Sequence, residues 1–279
     1  MKKRLAILWD GVKLFDKNSC FTSAAAISFY AFFSLIPLMI LITASLGFIL
    51  GTRTGMLDRV IGMVQKSIPY LGDLVLDDLT DLARRWRKFG WVGLLSLISS
   101  AELVLGAMSD ALSAVFDTTN RFNWFRRKIL NLLGLLLVIL TAFVSIAITA
   151  ASLLFKKLHF KVFGFDLTYF IFDSFAFKYI LPFLLVTLIV ALGYKIISGP
   201  NMNFEYAFYG SILFTALWEL AKNLFAWYVS NFPSYNKFYG SLGTIMILMI
   251  WIFYSANIFL FSASVAKAAY DRNVMPAKA

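Results

Sequence analysis

Six polar side chains lie within two long apolar stretches of the sequence, where they could bind a polar substrate or carry a proton. They are, in chain order, Glu102, Ser109, Asp110, Glu219, Lys222 and Asn223. At about 100° per residue, the first three share an arc of about 100° of a helix with Ser99 and Ser113. The last three share a comparable face with Thr215. The spacing therefore predicts two helices that each carry a polar stripe.

A charge near the centre of a bilayer costs roughly 2.5–3.5 kcal/mol, so such a group is usually paired or functional. Glu219 and Lys222 are three residues apart and can pair within one helix. Because neither stripe can face lipid, we expect the two to face each other or a wet cavity. The six residues are then substrate-binding or proton-coupling groups. The alternative is a static interhelical salt bridge in which Lys222 neutralises two carboxylates.

Other kinds of site lack the residues they need. His159 is the only histidine and Cys20 the only cysteine, which excludes a multi-histidine metal site and an internal disulfide. The sequence has no glycine-rich phosphate loop and no spacing that suggests a Ser/His/Asp set. We therefore expect no metal, no cofactor and no enzymatic activity.

The composition places these stripes in a membrane. Of the 279 residues, 60% are hydrophobic and 15% are charged, whereas a soluble domain has roughly 45–50% apolar and 25% charged residues. We therefore predict an integral membrane protein that forms a single domain over 1–279. The net charge of +11 favours basic loops that bind anionic lipid headgroups over a nucleic-acid partner.

The apolar runs are continuous and long enough for membrane-spanning helices, which need about 20 residues each. They do not alternate as barrel strands do, so we predict an all-α bundle of six transmembrane helices. The predicted spans are 24–50, 91–116, 129–155, 179–197, 205–230 and 241–266. The polar stripes fall on the second and fifth. Small residues on the second span suit packing within one subunit or between two, which allows a homo-oligomer.

Residues 1–20 carry an apolar stripe made by Leu5, Leu8, Val12 and Phe15, with lysines and an arginine around it. This pattern predicts a helix that lies in the membrane interface, with its cations on lipid phosphates. An ordinary soluble helix packed on loops is the alternative.

The loops indicate the orientation. Cations are dense in the N-terminal arm and in the short loop after the second span, and Lys195 and Lys267 fall on the same side. The loop 51–90 mixes its cations with aspartates. Because short basic loops stay inside, we expect both termini in the cytoplasm. Apolar stripes on both sides of Pro69 predict two amphipathic helices in the outer loop 51–90.

Pro37 lies in the first span and should kink that helix. Broken spans often line transport sites, although a single proline can be merely structural. The sequence also suggests an internal repeat, in which Glu102 and Glu219 would be equivalent carboxylates of two inverted halves. It is obtained by laying 31–41 on 176–186, and 93–103 on 210–220.

Three stretches resemble the YihY/BrkB-like bacterial inner-membrane proteins, once labelled ribonuclease BN. They are "AAAISFYAFFSLIPLMIL" at 24–41, "NRFNWFRRK" at 120–128, and 210–260, with "YVSNFPSYNKFYGSLG" at 228–243 as the most specific part. The resemblance runs over nearly the whole chain. It implies a six-helix inner-membrane protein of a family whose suggested roles are transport and envelope lipid handling. The family's last span typically ends in a Gly-Ala-Glu-like stretch, whereas this chain has Ser262, Ala263 and Ser264.

The most specific part of that resemblance also has a physical reading. Tyr235, Asn236, Tyr239 and Gly240 are typical of a tight outer turn with phenols at headgroup depth. A rigid hairpin anchored at the interface explains the motif, and gating of a substrate is the alternative.

Taken with the exclusions above, these features favour a secondary transporter or lipid flippase. It would move an amphiphilic or anionic substrate through a polar intramembrane cavity. The alternative is a non-catalytic envelope scaffold, in which the buried charges are an interhelical lock. The ribonuclease label finds no support in the residues, because a zinc nuclease needs clustered ligands around an activated water.

Overall fold

A computed structural model describes residues 2–50, 86–118, 128–129, 134, 161–162, 165–166, 180–231 and 241–274. Several predictions fall outside these residues. They concern the outer-loop helices, most of the third span, and the outer turn with Tyr235, Asn236, Tyr239 and Gly240.

The described chain is helical apart from one very short strand pair. The helices are α1 (Lys2–Lys17), α2 (Cys20–Leu50), α3 (Trp86–Val115), α4 (Leu181–Ser198), α5 (Phe204–Asn231) and α6 (Ser241–Val274), with a 3₁₀ turn at Gly199–Asn201. Strands β1 (Lys161–Val162) and β2 (Phe165–Asp166) are antiparallel, with Lys161 opposite Asp166. The predicted helical class is confirmed.

Four of the described helices contain a stretch long and apolar enough to cross a membrane. These stretches are Cys20–Ser45, Gly90–Val115, Leu181–Asn201 and Ile245–Val274. Helix α5 covers the fifth predicted span as one helix of 28 residues but is not among these four, because its polar stripe lowers its apolar content. The total of six spans stays a prediction.

Helix α1 packs along the last turns of α6. A Cβ at Gly11 would lie 2.6 Å from Val265 Cγ2, and the rings of Phe15 and Phe261 are 6.2 Å apart. The predicted N-terminal helix is confirmed, but Phe15 turns away from the predicted stripe and toward α6. The other stripe residues, Leu5, Leu8 and Val12, are exposed. Their placement on lipid stays a prediction.

Two compact units emerge from the contacts within the chain: residues 1–28 with 105–279, and residues 29–104. In the smaller unit, α2 and α3 approach closely at Gly93, where a Cβ would lie 3.0 Å from Ile40 Cγ2. Helix α2 continues through Pro37 to Leu50, and the predicted kink stays a prediction.

The core of the larger unit lies where several helix ends meet. It collects the start of α2, the end of α3, the end of α4, the start of α5 and the end of α6. Its largest buried side chains are those of Leu112, Phe116, Tyr194, Met202 and Leu260. Antiparallel neighbours in a helical bundle bring the end of one helix beside the start of the next, as the end of α4, the start of α5 and the end of α6 do here.

Candidate functional site

Glu219 and Lys222 form an ion pair on α5. Lys222 Nζ lies 2.7 Å from Glu219 Oε1, and the two side chains are 40% and 43% exposed. Lys222 Nζ also lies 4.8 Å from the centre of the Trp218 ring, which favours a cation there. The predicted pairing within one helix is confirmed.

Asn223 completes this polar group but does not bind either charge in the described contacts. Its Nδ2 donates to the backbone oxygen of Glu219 at 2.9 Å, one turn earlier on the same helix. This hydrogen bond uses the side-chain Nδ2 of Asn223, and the side-chain Oδ1 takes no part in it. Asn223 therefore adds a polar surface beside the ion pair.

Helix α4 holds α5 on one side through buried hydroxyl groups. Thr187 Oγ1 donates to Thr215 Oγ1 at 3.0 Å, and Thr215 Oγ1 lies 2.9 Å from the backbone oxygen of Ser211. Thr215 belongs to the predicted stripe and is fully buried, whereas Glu219 and Lys222, one and two turns further along, are partly exposed. The stripe thus emerges from the packed interface as it passes from Thr215 to Lys222.

Helix α6 holds α5 on the other side through small residues and aromatic rings. A Cβ at Gly210 would lie 2.6 Å from Ala266 Cβ. Further along, the Trp218 and Trp251 rings are 6.4 Å apart and the Phe225 and Trp251 rings 4.7 Å apart. These contacts fix the rotation of α5 on both sides of the ion pair.

An exposed apolar surface lies on the same helix as the ion pair, on the side of Glu219 that faces away from Lys222. Leu220 is 57% exposed, Leu224 53% and Trp227 60%. At about 100° per residue these side chains lie about 80–140° around the helix from Glu219 and about 140–160° from Lys222, so Glu219 is the charged residue nearer to them. We call the surface made by Glu219, Leu220, Lys222, Leu224 and Trp227 the α5 face. It presents two opposite charges and an apolar strip to the surroundings of the protein.

The polar residues of α3 are divided between different environments. Ser109 is buried, Asp110 is exposed and Glu102 is partly buried. Glu102 belongs to the smaller unit, whereas Asp110 and the α5 pair belong to the larger one. That the two polar stripes face each other therefore stays a prediction, and so do the roles of Glu102, Ser109 and Asp110.

A second polar cluster joins the ends of helices, and the sequence analysis did not predict it. Lys267, which the sequence places among the cations of the inner side, is only 5% exposed. Its Nζ lies 2.9 Å from Asp271 Oδ1 and 3.5 Å from Asp117 Oδ2. The four-residue spacing to Asp271 was a usable signal. The contact with Asp117 spans 150 residues, and no local pattern indicates it.

Asn201 joins a third helix end to the same cluster. Its Nδ2 lies 3.1 Å from the backbone oxygens of both Phe116 and Asp117. Asp117 has a φ of +54°, in the left-handed region that aspartate tolerates better than most residues. The Asn201 amide thus satisfies carbonyl groups that the end of α3 leaves without helical partners. We call Asp117, Asn201, Lys267 and Asp271 the helix junction.

The two clusters differ in what they can do. The helix junction uses its polar groups to hold the ends of α3, the 3₁₀ turn and α6 together. On the α5 face, by contrast, opposite charges lie within a long helix and remain accessible to a ligand. Among the described residues, no three His, Cys, Asp or Glu side chains lie close enough to hold a metal ion. The α5 face is therefore the candidate functional site.

The end of the last span differs from the acidic ending that the resemblance implied. Ser262 and Ser264 are fully buried. Ser264 Oγ donates to the backbone oxygen of Leu260 at 2.9 Å and lies 4.0 Å from Cys20 Sγ. This stretch of α6 packs against α2 and offers no charge to a ligand.

Known proteins resemble this chain along most of its length. It is 29% identical to a UPF0761 membrane protein of Glaesserella parasuis over 75% of this chain and 72% of that protein. It is 24% identical to a UPF0761 membrane protein of Haemophilus influenzae over 91% of each, and 23% identical to one of Mannheimia succiniciproducens over 94% of this chain and 88% of that protein. No solved structure matches the chain.

A family profile gives the same result over almost the whole sequence. The profile described as "Virulence factor BrkB" matches residues 12–278, a range that includes the α5 face and the helix junction. Together with the apolar helices and the membrane-protein relatives, this match confirms the resemblance found in the sequence. The chain is a membrane protein that belongs to the BrkB family.

Proposed function

We propose that this protein moves amphiphilic lipids across a bacterial inner membrane, with both termini in the cytoplasm. The observation that carries the proposal is the α5 face. An ion pair that is about two-fifths exposed and an exposed apolar strip lie on the same long helix, with Glu219 between Lys222 and the strip. This arrangement matches the two parts of a lipid, which are a polar headgroup and apolar chains.

The position of the pair along α5 supports this role. At 1.5 Å per residue, Glu219 lies about 22 Å from the start of α5 and Lys222 about 13 Å from its end. A hydrocarbon core is about 30 Å thick. In a helix that spans the membrane, the pair thus lies below the level of the headgroups, where an exposed charge needs a strong reason to persist.

We propose that the two charges of the α5 face replace part of the water that surrounds a lipid headgroup as it crosses the membrane. Lys222 would bind the lipid phosphate. Glu219 would bind a positively charged group of the same headgroup, or would separate from Lys222 when the lysine binds the phosphate. The acyl chains would stay in the bilayer against Leu220, Leu224 and Trp227. The opposite charges lower the barrier to crossing because they replace part of the hydration that the headgroup loses.

Purified protein in proteoliposomes tests this proposal. The transbilayer movement of a chain-labelled phospholipid is measured for the wild type, Glu219→Gln and Lys222→Met. We expect both variants to lower the rate by about tenfold or more, which corresponds to about 1.4 kcal/mol. Glu205→Gln is the matched control, since it makes the same change in the first turn of α5 and should leave the rate unchanged.

The scaffold alternative predicts a different result. If the pair only stabilises the bundle, Glu219→Gln lowers the melting temperature and no lipid movement is found even in folded wild-type protein. Absence of movement in the wild type would overturn the proposed function. Equal movement in the wild type and both variants would show that the α5 face is not the path.

A further inference from the structure

We infer that the α5 face selects lipids with a zwitterionic headgroup, one phosphate and one ammonium, over lipids with a net negative headgroup. This inference rests on the proposed function and names its substrate class. It follows from the charges that surround the ion pair, which can be counted from the helices packed around it.

The membrane-embedded parts of three packed helices have no net charge. Helix α5 contacts α4 through Thr187 and Thr215 and α6 through Trp218 and Trp251. Within the predicted spans 179–197, 205–230 and 241–266, the charged residues are Lys195, Glu205, Glu219 and Lys222, and their charges sum to zero. Lys195 and Glu205 lie near helix ends, so the ion pair is the charge in the middle of these three spans, and its sum is zero.

A neutral pair matches a neutral headgroup. When the phosphate of a zwitterionic lipid meets Lys222, its ammonium meets Glu219, and each charge keeps an opposite neighbour. When an anionic lipid meets Lys222, the lysine is shared between Glu219 and the phosphate, and the complex carries one net negative charge. An uncompensated charge in hydrocarbon is costly, so the zwitterionic lipid crosses faster.

The geometry lets a headgroup reach both charges without moving the helices. The ion pair uses Glu219 Oε1, and an ammonium group has three donors, so Lys222 can bind a phosphate while it stays near the carboxylate. The Trp218 ring makes a cation–π contact with the lysine, with its ring centre 4.8 Å from Nζ. Leu220 is more than half exposed and follows Glu219 directly, about 100° around the helix, where the acyl chains of the same molecule would run. This last contact favours a lipid over a soluble phosphoamine.

The test compares two labelled lipids in the same vesicles. Chain-labelled phosphatidylethanolamine and phosphatidylglycerol, with identical acyl chains, are each present as a trace in phosphatidylcholine proteoliposomes. For the wild type we expect phosphatidylethanolamine to cross about tenfold faster, which corresponds to about 1.4 kcal/mol. In Glu219→Gln the local charge becomes +1, so the ratio should invert in favour of phosphatidylglycerol. Glu205→Gln should keep the wild-type ratio.

The possible failures are distinct. No movement of either lipid in the folded wild type overturns the proposed function itself. Movement of both lipids at equal rates, or a ratio that Glu219→Gln leaves unchanged, overturns the charge-matching inference and leaves lipid movement standing. Free phosphoethanolamine in the buffer should not slow the lipids. Strong competition by it would identify a soluble ligand and overturn the inference.

Discussion

Lys267 Nζ on α6 lies 3.5 Å from the carboxylate of Asp117, just past the end of α3. The lysine side chain is 7% exposed and the aspartate side chain 71%. This asymmetry means that the buried cation depends on a partner that is itself in contact with the surroundings. The carboxylates of Asp117 and Asp271 both lie near the buried ammonium group of Lys267.

Removing the carboxylates should destabilise the protein more than removing the lysine. Asp117→Asn combined with Asp271→Asn leaves a buried charge without a counter-charge, which should cost about 3 kcal/mol. Lys267→Met removes the buried charge and leaves two exposed carboxylates, so it should cost clearly less. Thermal unfolding in detergent measures both. A larger loss for Lys267→Met would contradict this account of the helix junction.

Replacing Gly193 on α4 and Gly210 on α5 by alanine should change the stability of the protein in opposite directions. At Gly210 a Cβ would lie 2.6 Å from Ala266 Cβ and 3.1 Å from the backbone oxygen of Ser262, whereas at Gly193 no atom lies within 4 Å. Gly210→Ala should therefore force α5 and α6 apart and cost about 1–3 kcal/mol. Gly193→Ala should stabilise α4 by about 0.5–1 kcal/mol, because alanine loses less backbone entropy. The melting temperatures of the two variants should lie on opposite sides of the wild type.

Asn201 can be tested by a change that keeps its size. Asn201→Asp replaces the amide donor by a carboxylate oxygen, which cannot donate to the backbone oxygens of Phe116 and Asp117. We expect a loss of about 1–3 kcal/mol, since buried polar groups lose their partners. Asn223→Asp is the matched control on the exposed part of α5. If both variants melt at the wild-type temperature, Asn201 does not hold the end of α3.

The attachment of α1 depends on the absence of a side chain at one position. Gly11→Leu would place atoms where Val265 lies, since a Cβ alone reaches 2.6 Å from Cγ2. We expect α1 to separate from α6 and the contact between Asp10 and Arg272, 3.4 Å, to be lost. Cysteines at these two positions should be joined by a short bis-maleimide reagent in the parent protein and not in the Gly11→Leu variant. Val12→Leu, on the exposed side of α1, should leave the cross-link intact.

The sequence predicted those features that depend only on the geometry of a single helix. The helices follow from continuous apolar runs, and the pair of Glu219 and Lys222 follows from a three-residue spacing within one helix. The exposed stripe of α1 follows from the same periodicity. In each case the deciding distance is set by the helix itself, so that tertiary packing does not change it.

The helix junction could not be predicted in this way. Asn201 reaches Phe116 across 85 residues, and Lys267 reaches Asp117 across 150. Lys267 read as one more basic residue after a span, because nothing near it in the sequence shows that α3 ends beside it. The division of the α3 stripe has the same origin: Ser109 and Asp110 are neighbours, yet packing buries one and exposes the other.

A charge exchange on α5 tests the central claim most directly. The rate of transbilayer movement of phosphatidylethanolamine is measured in proteoliposomes for the wild type, for Glu219→Lys, and for the double variant Glu219→Lys with Lys222→Glu. The account predicts that the single variant abolishes movement, because two like charges remain, and that the double variant restores it with the charges exchanged. Movement in the single variant at the wild-type rate, with folded protein in both cases, would contradict the role of the α5 face.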